Sequence, residues 1–502
     1  MKIKSIKIKF VLLVLFGLNS SLFHAQFPYF NSGQKKGDFT LLGESRTGLV
    51  TYDRNGIKLL DAQHQYSGVY LNNLTFTTSK GFILEFEYGL DIGRMEDKKY
   101  GDGIAMVLFN ANERNPQLGD KGGALGYAYT KKYGSNHTPG FTQGIFGLGL
   151  DLFGNYKKIT RGDNEIRNGL TLNPEGNFVV LRGPYSVTST SEGYPVLFAV
   201  GTRTNTNLYL DRNTGKVISK QKGLIGQRFS LRGGVLNASS GETGYRKARI
   251  SLVPGREDSS GQEGFFISVD IVNDSYISSI ILNYFVPKAG SIKYEEQMID
   301  GMTPTAINSM SMMIPSTMKM AFTGSTGAAS VRAHIRNISL SLPFSPQVID
   351  IVIPNVIYNR VFAFKPLYSA VGYDSNVYSV LNPPNPSTLF LDLDSFRFKL
   401  FNANTKAYTV HDDPHHLVVP KVGDFQYNSS SGEVIFSPVE GFKDKSYTLY
   451  YDIKNKRPPT GVDISAEEYR STTAAVTLNF TSEIPLYRNP PLLVNKGVKT
   501  IK

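Results

Sequence analysis

The chain has 502 residues, a formal net charge of +12, and neither cysteine nor tryptophan. The absence of cysteine excludes disulfides, thiolate metal sites and cysteine nucleophiles. The length allows two to four domains of roughly 100–200 residues, and 40% hydrophobic residues suffice for packed cores. The basic residues are dispersed, without an arginine-rich helix or zinc-finger spacing, so nucleic-acid binding has no specific support.

Residues 1–25 have the pattern of a secretory signal. Four lysines within the first nine residues precede the apolar run Phe10–Leu18. This run is too short to span a bilayer, and Ala25 suits the last position before cleavage. We expect a secreted or cell-surface protein with no transmembrane span in the mature chain; a membrane anchor is the alternative interpretation.

From about residue 27 to 343, short apolar runs alternate with turn residues, which predicts antiparallel strands. The run 81–92 alternates most clearly, because one face takes large apolar residues and the other takes Ile83, Glu85 and Glu87. The residues of the apolar face are Phe82, Leu84, Phe86 and Tyr88. Residues 271–310 depart from this pattern and read as an insertion. The region predicts a large β-sandwich.

The sequence pattern changes after Pro343, where several prolines mark a linker between two regions. Residues 344–482 contain further alternating runs, and their number suits a smaller, immunoglobulin-like β-sandwich. The run Gly432–Phe442, GEVIFSPVEGF, resembles bacterial immunoglobulin-like modules. That resemblance implies a spacer that presents a binding domain. Residues 483–502 form a basic tail.

Four segments of the first region carry a further resemblance. They are GDGIAMVLFN from Gly101, GGALGYAY from Gly122, GLGLDLFGNY from Gly147, and MKMAFTGSTGAASVRAHIRNISL from Met318. In this order they resemble the L-type (legume-type) lectins, over most of residues 27–343. The resemblance implies a concanavalin A-like β-sandwich that binds a glycan or glycoconjugate.

The same resemblance implies a set of sugar-binding residues. Asp102 would be the carboxylate, Gly122 or Gly123 the backbone donor, Asn155 the amide and Phe153 the aromatic platform. Sugars present adjacent donors and acceptors, so an ionised acceptor, a backbone N–H and an amide suit them. Each residue also has an ordinary explanation: a turn before a glycine, backbone freedom, a loop residue or a core aromatic.

A calcium site is an open question in the sequence. Alternation around residue 150 turns three leucines to the core and Asp151 to the opposite face. Asp151, Asn155 and Asp163, with a backbone carbonyl and waters, are oxygen donors of the kind that Ca²⁺ takes, about six to eight in number. However, Gly149 stands where the lectin family has glutamate, and the family's later histidine is missing.

Two other functions remain as alternatives. Glycoside hydrolases share the fold, but a retaining enzyme needs two carboxylates about 5–5.5 Å apart, and both glutamates of the pattern found in those enzymes are missing from the strand Gly149–Phe153. We therefore expect a binding protein rather than an enzyme. The third hypothesis is a structural adhesin whose lectin site has decayed. The segment His411–His416, HDDPHH, has metal-binding residue types but matches no known spacing and reads as a solvated turn.

Overall fold

The structure is a computed structural model. It describes residues 29–31, 39–42, 49–53, 55–72, 74–79, 81–91, 100–130, 138–157, 176–188, 192–204, 206–219, 224–233, 238, 242–257, 259–296, 306–343, 345–373, 387–402, 407–456, 470–471 and 473–482. The predicted signal segment 1–25, the tail 483–502 and Asp163 lie outside the described residues.

The chain forms two compact units, Met1–Pro343 and Phe344–Lys502. The described residues are dominated by strands, and their helices are the single 3-10 turns Gly122–Ala124 and Thr388–Phe390. The prediction of an all-β, sandwich-type fold is confirmed. In the described part of the chain, no helix has the length and apolar character needed to cross a membrane.

The strands of the first unit, in chain order, are β1 Tyr29–Asn31, β2 Phe39–Leu42, β3 Thr51–Asp53, β4 Gly56–Leu60, β5 Tyr66–Leu71, β6 Phe76–Thr77, β7 Phe82–Asp91, β8 Gly103–Asn110, β9 Gly144–Asp151, β10 Phe178–Arg182, β11 Val196–Gly201, β12 Asn207–Leu210, β13 Val217–Ser219, β14 Arg246–Arg256, β15 Glu263–Asn273, β16 Tyr276–Pro287, β17 Ala289–Glu296, β18 Ala306–Met313, β19 Thr317–Ser325 and β20 Arg332–Ser341.

These strands form two large sheets and a hairpin. Sheet I has the order β16-β15-β14-β7-β20-β4-β3, and β1 also pairs with β20. Sheet II has the order β13-β12-β11-β10-β9-β8-β19-β5-β2, and β6 also pairs with β19. The strands β17 and β18 pair only with each other among the described residues. Residues 271–310, expected as an insertion, thus contribute the regular strands β16, β17 and the start of β18.

The main core lies between the two sheets. The predicted apolar face of β7 points into it, and Phe86 meets Phe322 of β19 edge-to-face at a centroid distance of 5.0 Å. Leu148, Leu150 and Leu152 also lie in this core, as their alternation predicts. Because large side chains from both sheets interdigitate here, hydrophobic burial holds the sheets together without disulfides.

A second apolar layer covers the outer face of sheet II. Tyr127 and Tyr156 are fully buried there, over strand β9. A Cβ at Gly147 would overlap the Tyr127 ring, and one at Gly149 would overlap the Tyr156 ring. The alternation Gly147-Leu-Gly149-Leu therefore buries leucines on the inner face and leaves the outer face open for two tyrosine rings.

The strands of the second unit are β21 Ile351–Ile357, β22 Phe362–Phe364, β23 Leu391–Asn402, β24 Ala407–Val410, β25 His416–Val419, β26 Gly423–Asn428, β27 Glu433–Pro438, β28 Ser446–Asn455 and β29 Ala474–Thr481. They form one sheet in the order β21-β29-β28-β23-β24 and another in the order β22-β27-β26-β25. Aromatic residues fill the core; Phe425 and Phe436 stack at 4.5 Å.

Candidate functional site

The ends of three neighbouring strands of sheet II meet at one point. Strand β8 begins at Gly103, which pairs with Asp151 at the end of β9 and with Ser325 at the end of β19. The segments that continue from these ends carry polar residues and glycines. Because loop ends on a rigid sheet are common binding sites, this edge is the candidate binding site.

Asp102 lies at the junction of these segments. Its N–H donates to the carbonyl of Ser325 at 3.1 Å, and its carbonyl accepts from the N–H of Leu152 at 2.8 Å. The peptide bond between Gly101 and Asp102 is cis. The residue is buried, and a Cβ at Gly327 would lie 3.6 Å from its Oδ2. The backbone of Asp102 is thus fixed by both neighbouring segments, and its carboxylate faces the turn after β19.

The two candidate glycines differ in their contacts. The N–H of Gly122 donates to Oγ of Ser325 at 2.7 Å, so it is engaged within the protein. Gly123 lies in the first turn of the 3-10 helix Gly122–Ala124, where backbone N–H groups have no intrahelical partner. Of the two N–H groups, that of Gly123 is therefore better suited to donate to a ligand.

Asn155 lies against Gly123, and Phe153 lies against Gly101, the residue before Asp102. A Cβ at Gly123 would lie 2.5 Å from Cβ of Asn155 and 3.5 Å from its Nδ2. A Cβ at Gly101 would lie 3.1 Å from Cβ of Phe153. Both Phe153 and Asn155 are half-buried. The structure thus brings together all five residues that the sequence suggested for sugar binding, from segments far apart in the chain.

Asp151 has a different position from the one expected of a metal ligand. It is fully buried, and its carboxylate oxygens accept the N–H groups of Gly154 at 2.7 Å and Tyr156 at 2.8 Å. Burial raises the pKa of Asp151, and the hydrogen bond from Gly154 opposes that rise. In this arrangement the carboxylate closes the turn that follows β9.

The described residues do not fit a Ca²⁺ site at this turn. Both oxygens of Asp151 hold backbone N–H groups, and the ring of Tyr156 fills the space over Gly149 where a glutamate would stand. Within the described ranges, no cluster of three or more His, Asp or Glu side chains could hold a metal. Of the predicted ligands, Asn155 contacts Gly123, and Asp163 is not described.

Two further residues at the site were not among the predicted sugar or metal ligands. Ser325 joins Gly122 to β19, and its carbonyl receives the N–H of Asp102. Arg182, at the end of β10, donates from Nε and Nη2 to the carbonyl of Tyr156 at 3.0 and 2.8 Å. The one sequence signal for Arg182 is a charge inside the apolar run FVVLR.

A short loop borders the turn after β19. The N–H of His64 donates to the carbonyl of Gly327 at 2.9 Å, and Nε2 of Gln63 donates to the carbonyl of Ala328 at 2.5 Å. Both side chains are exposed. This loop therefore contacts the backbone of Gly327 and Ala328, in the turn that the carboxylate of Asp102 faces.

Two further groups with reactive or metal-binding residue types are Ser325 with His334 and the segment HDDPHH. Ser325 is engaged with Gly122, whereas Nε2 of His334 lies 3.5 Å from Oδ2 of Asp53. In HDDPHH, Oδ1 of Asp413 accepts the N–H groups of His415 and His416, as expected of a turn. Nε2 of His416 lies 2.6 Å from Oδ1 of Asp424.

Comparisons with known proteins show no matching family model and no matching curated protein. Among solved structures, the metal-free lectin I-B4 of Griffonia simplicifolia is 11% identical, covering 63% of this chain and 99% of its own, at a TM-score of 0.30. The Ca²⁺/Man-bound exoplasmic/lumenal domain of VIP36 is 10% identical. The match covers 63% of this chain and 89% of the VIP36 domain, at a TM-score of 0.33. Peanut lectin with a 9mer peptide is 14% identical. The match covers 62% of this chain and 95% of the peanut lectin chain, at a TM-score of 0.29.

Proposed function

We propose that the first unit is a lectin-like domain that binds a glycan through Asp102, Gly123, Phe153 and Asn155. The observation that supports this most is their convergence at the ends of β8 and β9. An ionised acceptor, a backbone donor, an amide and an aromatic ring together match the hydroxyl pair and apolar face of a sugar.

A binding function is favoured over hydrolysis by the state of Asp151. Both of its oxygens accept backbone N–H groups, so it is not poised as a nucleophile or a proton donor. Position 149, where a second carboxylate would be needed, is glycine packed under Tyr156. The hydrolase alternative predicts release of reducing sugar from a polysaccharide, which can be measured on the same preparation.

The test is a glycan array on the purified chain, followed by titration of the strongest ligand. Asp102→Ala should weaken binding by roughly tenfold to a few hundredfold, because hydrogen bonds to a charged group contribute about 1.5–3 kcal/mol each. Asp102→Asn should lose less glycan affinity than Asp102→Ala, since asparagine keeps the shape of the side chain and one acceptor oxygen. Asn155→Ala should also weaken binding.

Matched controls are Asp412→Ala and Asn112→Ala, whose side chains are exposed and carry no proposed role. Both should bind like the wild type. Equal affinity of Asp102→Ala and the wild type would refute the site. An array without any ligand would favour the structural adhesin with a decayed site.

We also propose that the protein is exported to the cell surface or the medium and that its second unit spaces the lectin-like unit from its attachment. The basic, apolar and small-residue sequence of residues 1–25 supports export. The expected result is a mature N-terminus after Ala25 in mass spectrometry of the protein from its native cells. A chain that retains residues 1–25 would contradict this proposal.

A further inference from the structure

The backbone of Tyr156, the residue after Asn155, is held from both sides. Its N–H donates to Oδ2 of Asp151 at 2.8 Å, and its carbonyl accepts Nε and Nη2 of Arg182 at 3.0 and 2.8 Å. The third nitrogen of this guanidinium, Nη1, donates to the carbonyl of Tyr194 at 2.7 Å. The peptide groups on both sides of Tyr156 are thus held, one by a carboxylate and the other by a guanidinium, and this leaves the preceding residue Asn155 little freedom.

The outer face of sheet II is shaped to take this network. Arg182 pairs in register with Gly147, so both residues belong to the same face of the sheet. The missing side chains at Gly147 and Gly149 make room for the Tyr156 ring, which lies 5.1 Å from the guanidinium carbon. Arg182 is only 6% exposed. A buried cation must be compensated by polar or charged partners. Three hydrogen bonds to the carbonyls of Tyr156 and Tyr194, together with the negative charge of Asp151, compensate Arg182.

As in a loop held by a metal ion, a positive charge binds a backbone carbonyl oxygen of this loop. A calcium ion would bind carboxylate and carbonyl oxygens and so draw the loop onto the sheet. Here the carboxylate of Asp151 binds N–H groups of the loop, and the guanidinium of Arg182 binds its carbonyl oxygen. The protein's own cation thus occupies the role that an ion would have at the carbonyl.

We propose that the loop Leu152–Tyr156 is preorganised by Asp151, Tyr156 and Arg182 in place of a metal ion, and that ligand binding at this loop is independent of divalent cations. The second part of this inference rests on the proposed glycan-binding function. Asp151 and Arg182 are positioning residues: they act on the ligand through Asn155 and Phe153.

The first test asks about the metal without any glycan. The chain has no tryptophan, so Phe153→Trp introduces a single fluorescent reporter into the loop. Its emission and anisotropy should be the same in EDTA and in millimolar Ca²⁺, and mass analysis should find no stoichiometric metal. A bound ion together with a shift of the reporter on chelation would overturn the inference.

The second test perturbs the network in the same reporter background. Arg182→Lys keeps the charge but loses the forked contact with two carbonyls. It should raise the mobility of the reporter, and in the chain with Phe153 intact it should weaken glycan affinity by about tenfold. Arg182→Met should raise the reporter's mobility and weaken glycan affinity by more than Arg182→Lys does. The control is Arg212→Lys, at a half-buried arginine that pairs with Glu257 and packs on Phe285.

Asp151→Asn provides a second variant if Arg182 variants fail to fold, because it keeps the volume and one acceptor. It should mobilise the reporter while the main transition of the first unit remains cooperative. An immobile reporter in Asp151→Asn, or equal effects of the variants at 182 and 212, would refute the network as the device that orders the loop.

The two proposals fail in different ways. If no glycan binds but the reporter is rigid and insensitive to EDTA, the proposed function fails and the loop inference stands. If glycan binds and EDTA abolishes it, the function stands and the inference is wrong. If both hold, affinities measured in EDTA and in Ca²⁺ should agree within twofold.

Discussion

Asp151 in the first unit and Asp452 in the second are both buried, but their partners belong to different classes. Asp151 accepts two backbone N–H groups from the turn that directly follows it. Asp452 is surrounded by cations: Arg397 at 2.8 Å, Lys399 at 3.0 Å and Arg470 at 2.9 Å. The first carboxylate fixes a local loop, whereas the second joins two strands and a separate segment.

This difference shows what a buried carboxylate can indicate. Backbone donors are fixed in geometry and belong to one turn, so Asp151 determines the direction of the residues after it. Side-chain cations come from long, separate side chains, so Asp452 stabilises the sheet of β23 and β28 rather than a binding surface. The two roles therefore predict different effects of removing the carboxylate.

The largest expected effect is that of Asp452→Ala. Three cations would lose their common anion in a site that is 2% exposed, and breaking a buried ion pair costs about 3–5 kcal/mol. We expect a large decrease in the free energy of unfolding of the second unit, measured by chemical denaturation. Asp444→Ala, at an exposed position, is the control and should change it by less than about 0.5 kcal/mol. Similar stabilities for both variants would contradict the structural role of Asp452.

A smaller and more local effect is expected for Asp151→Ala. Two buried N–H groups lose their acceptor, which costs about 1–3 kcal/mol. Hydrogen exchange should accelerate most at the amides of Gly154 and Tyr156, with less change in strands distant from the turn. Uniform acceleration across the first unit would mean that Asp151 acts like Asp452, as a global rather than a local contact.

Gly149→Ala tests the packing of the Tyr156 ring over strand β9. The new methyl group would overlap the ring of Tyr156, and overpacking of this kind costs about 1–3 kcal/mol. Combining it with Tyr156→Leu should recover part of the loss, because the two positions share one space. Additive losses in this double-mutant cycle would show that the ring and the glycine are not coupled.

The smallest effect concerns the pH dependence of the first unit. Burial lowers the pKa of His334, and the neighbouring carboxylate of Asp53 opposes that shift only in part. The unfolded chain therefore takes up the proton first, so this contribution to stability is present above about pH 6.5 and is lost as the pH falls through the folded pKa. His334→Gln should flatten the stability profile between pH 7 and 5, whereas the exposed control His64→Gln should not.

Much of the fold follows from the sequence. Period-two alternation determined strands such as β7, because one face of Phe82–Asp91 had to be buried. It also predicted that the leucines of Gly144–Asp151 face the core, as they do. The irregular alternation of residues 271–310 predicts an insertion, but pairing with β15 makes Tyr276–Pro287 a strand of sheet I, with shifts in register.

The residue types for a sugar site could be predicted from motifs, since the segments that resemble L-type lectins contain a carboxylate, glycines and an amide. Which atoms remain for a ligand was decided only by tertiary contacts: Ser325 occupies the N–H of Gly122, and the turn after β9 occupies both oxygens of Asp151. Arg182 lies 26 residues after Tyr156 and meets it through the pairing of β9 and β10. Local patterns specify the strands and their faces, but contacts between segments distant in the chain depend on register and packing, which no local pattern encodes.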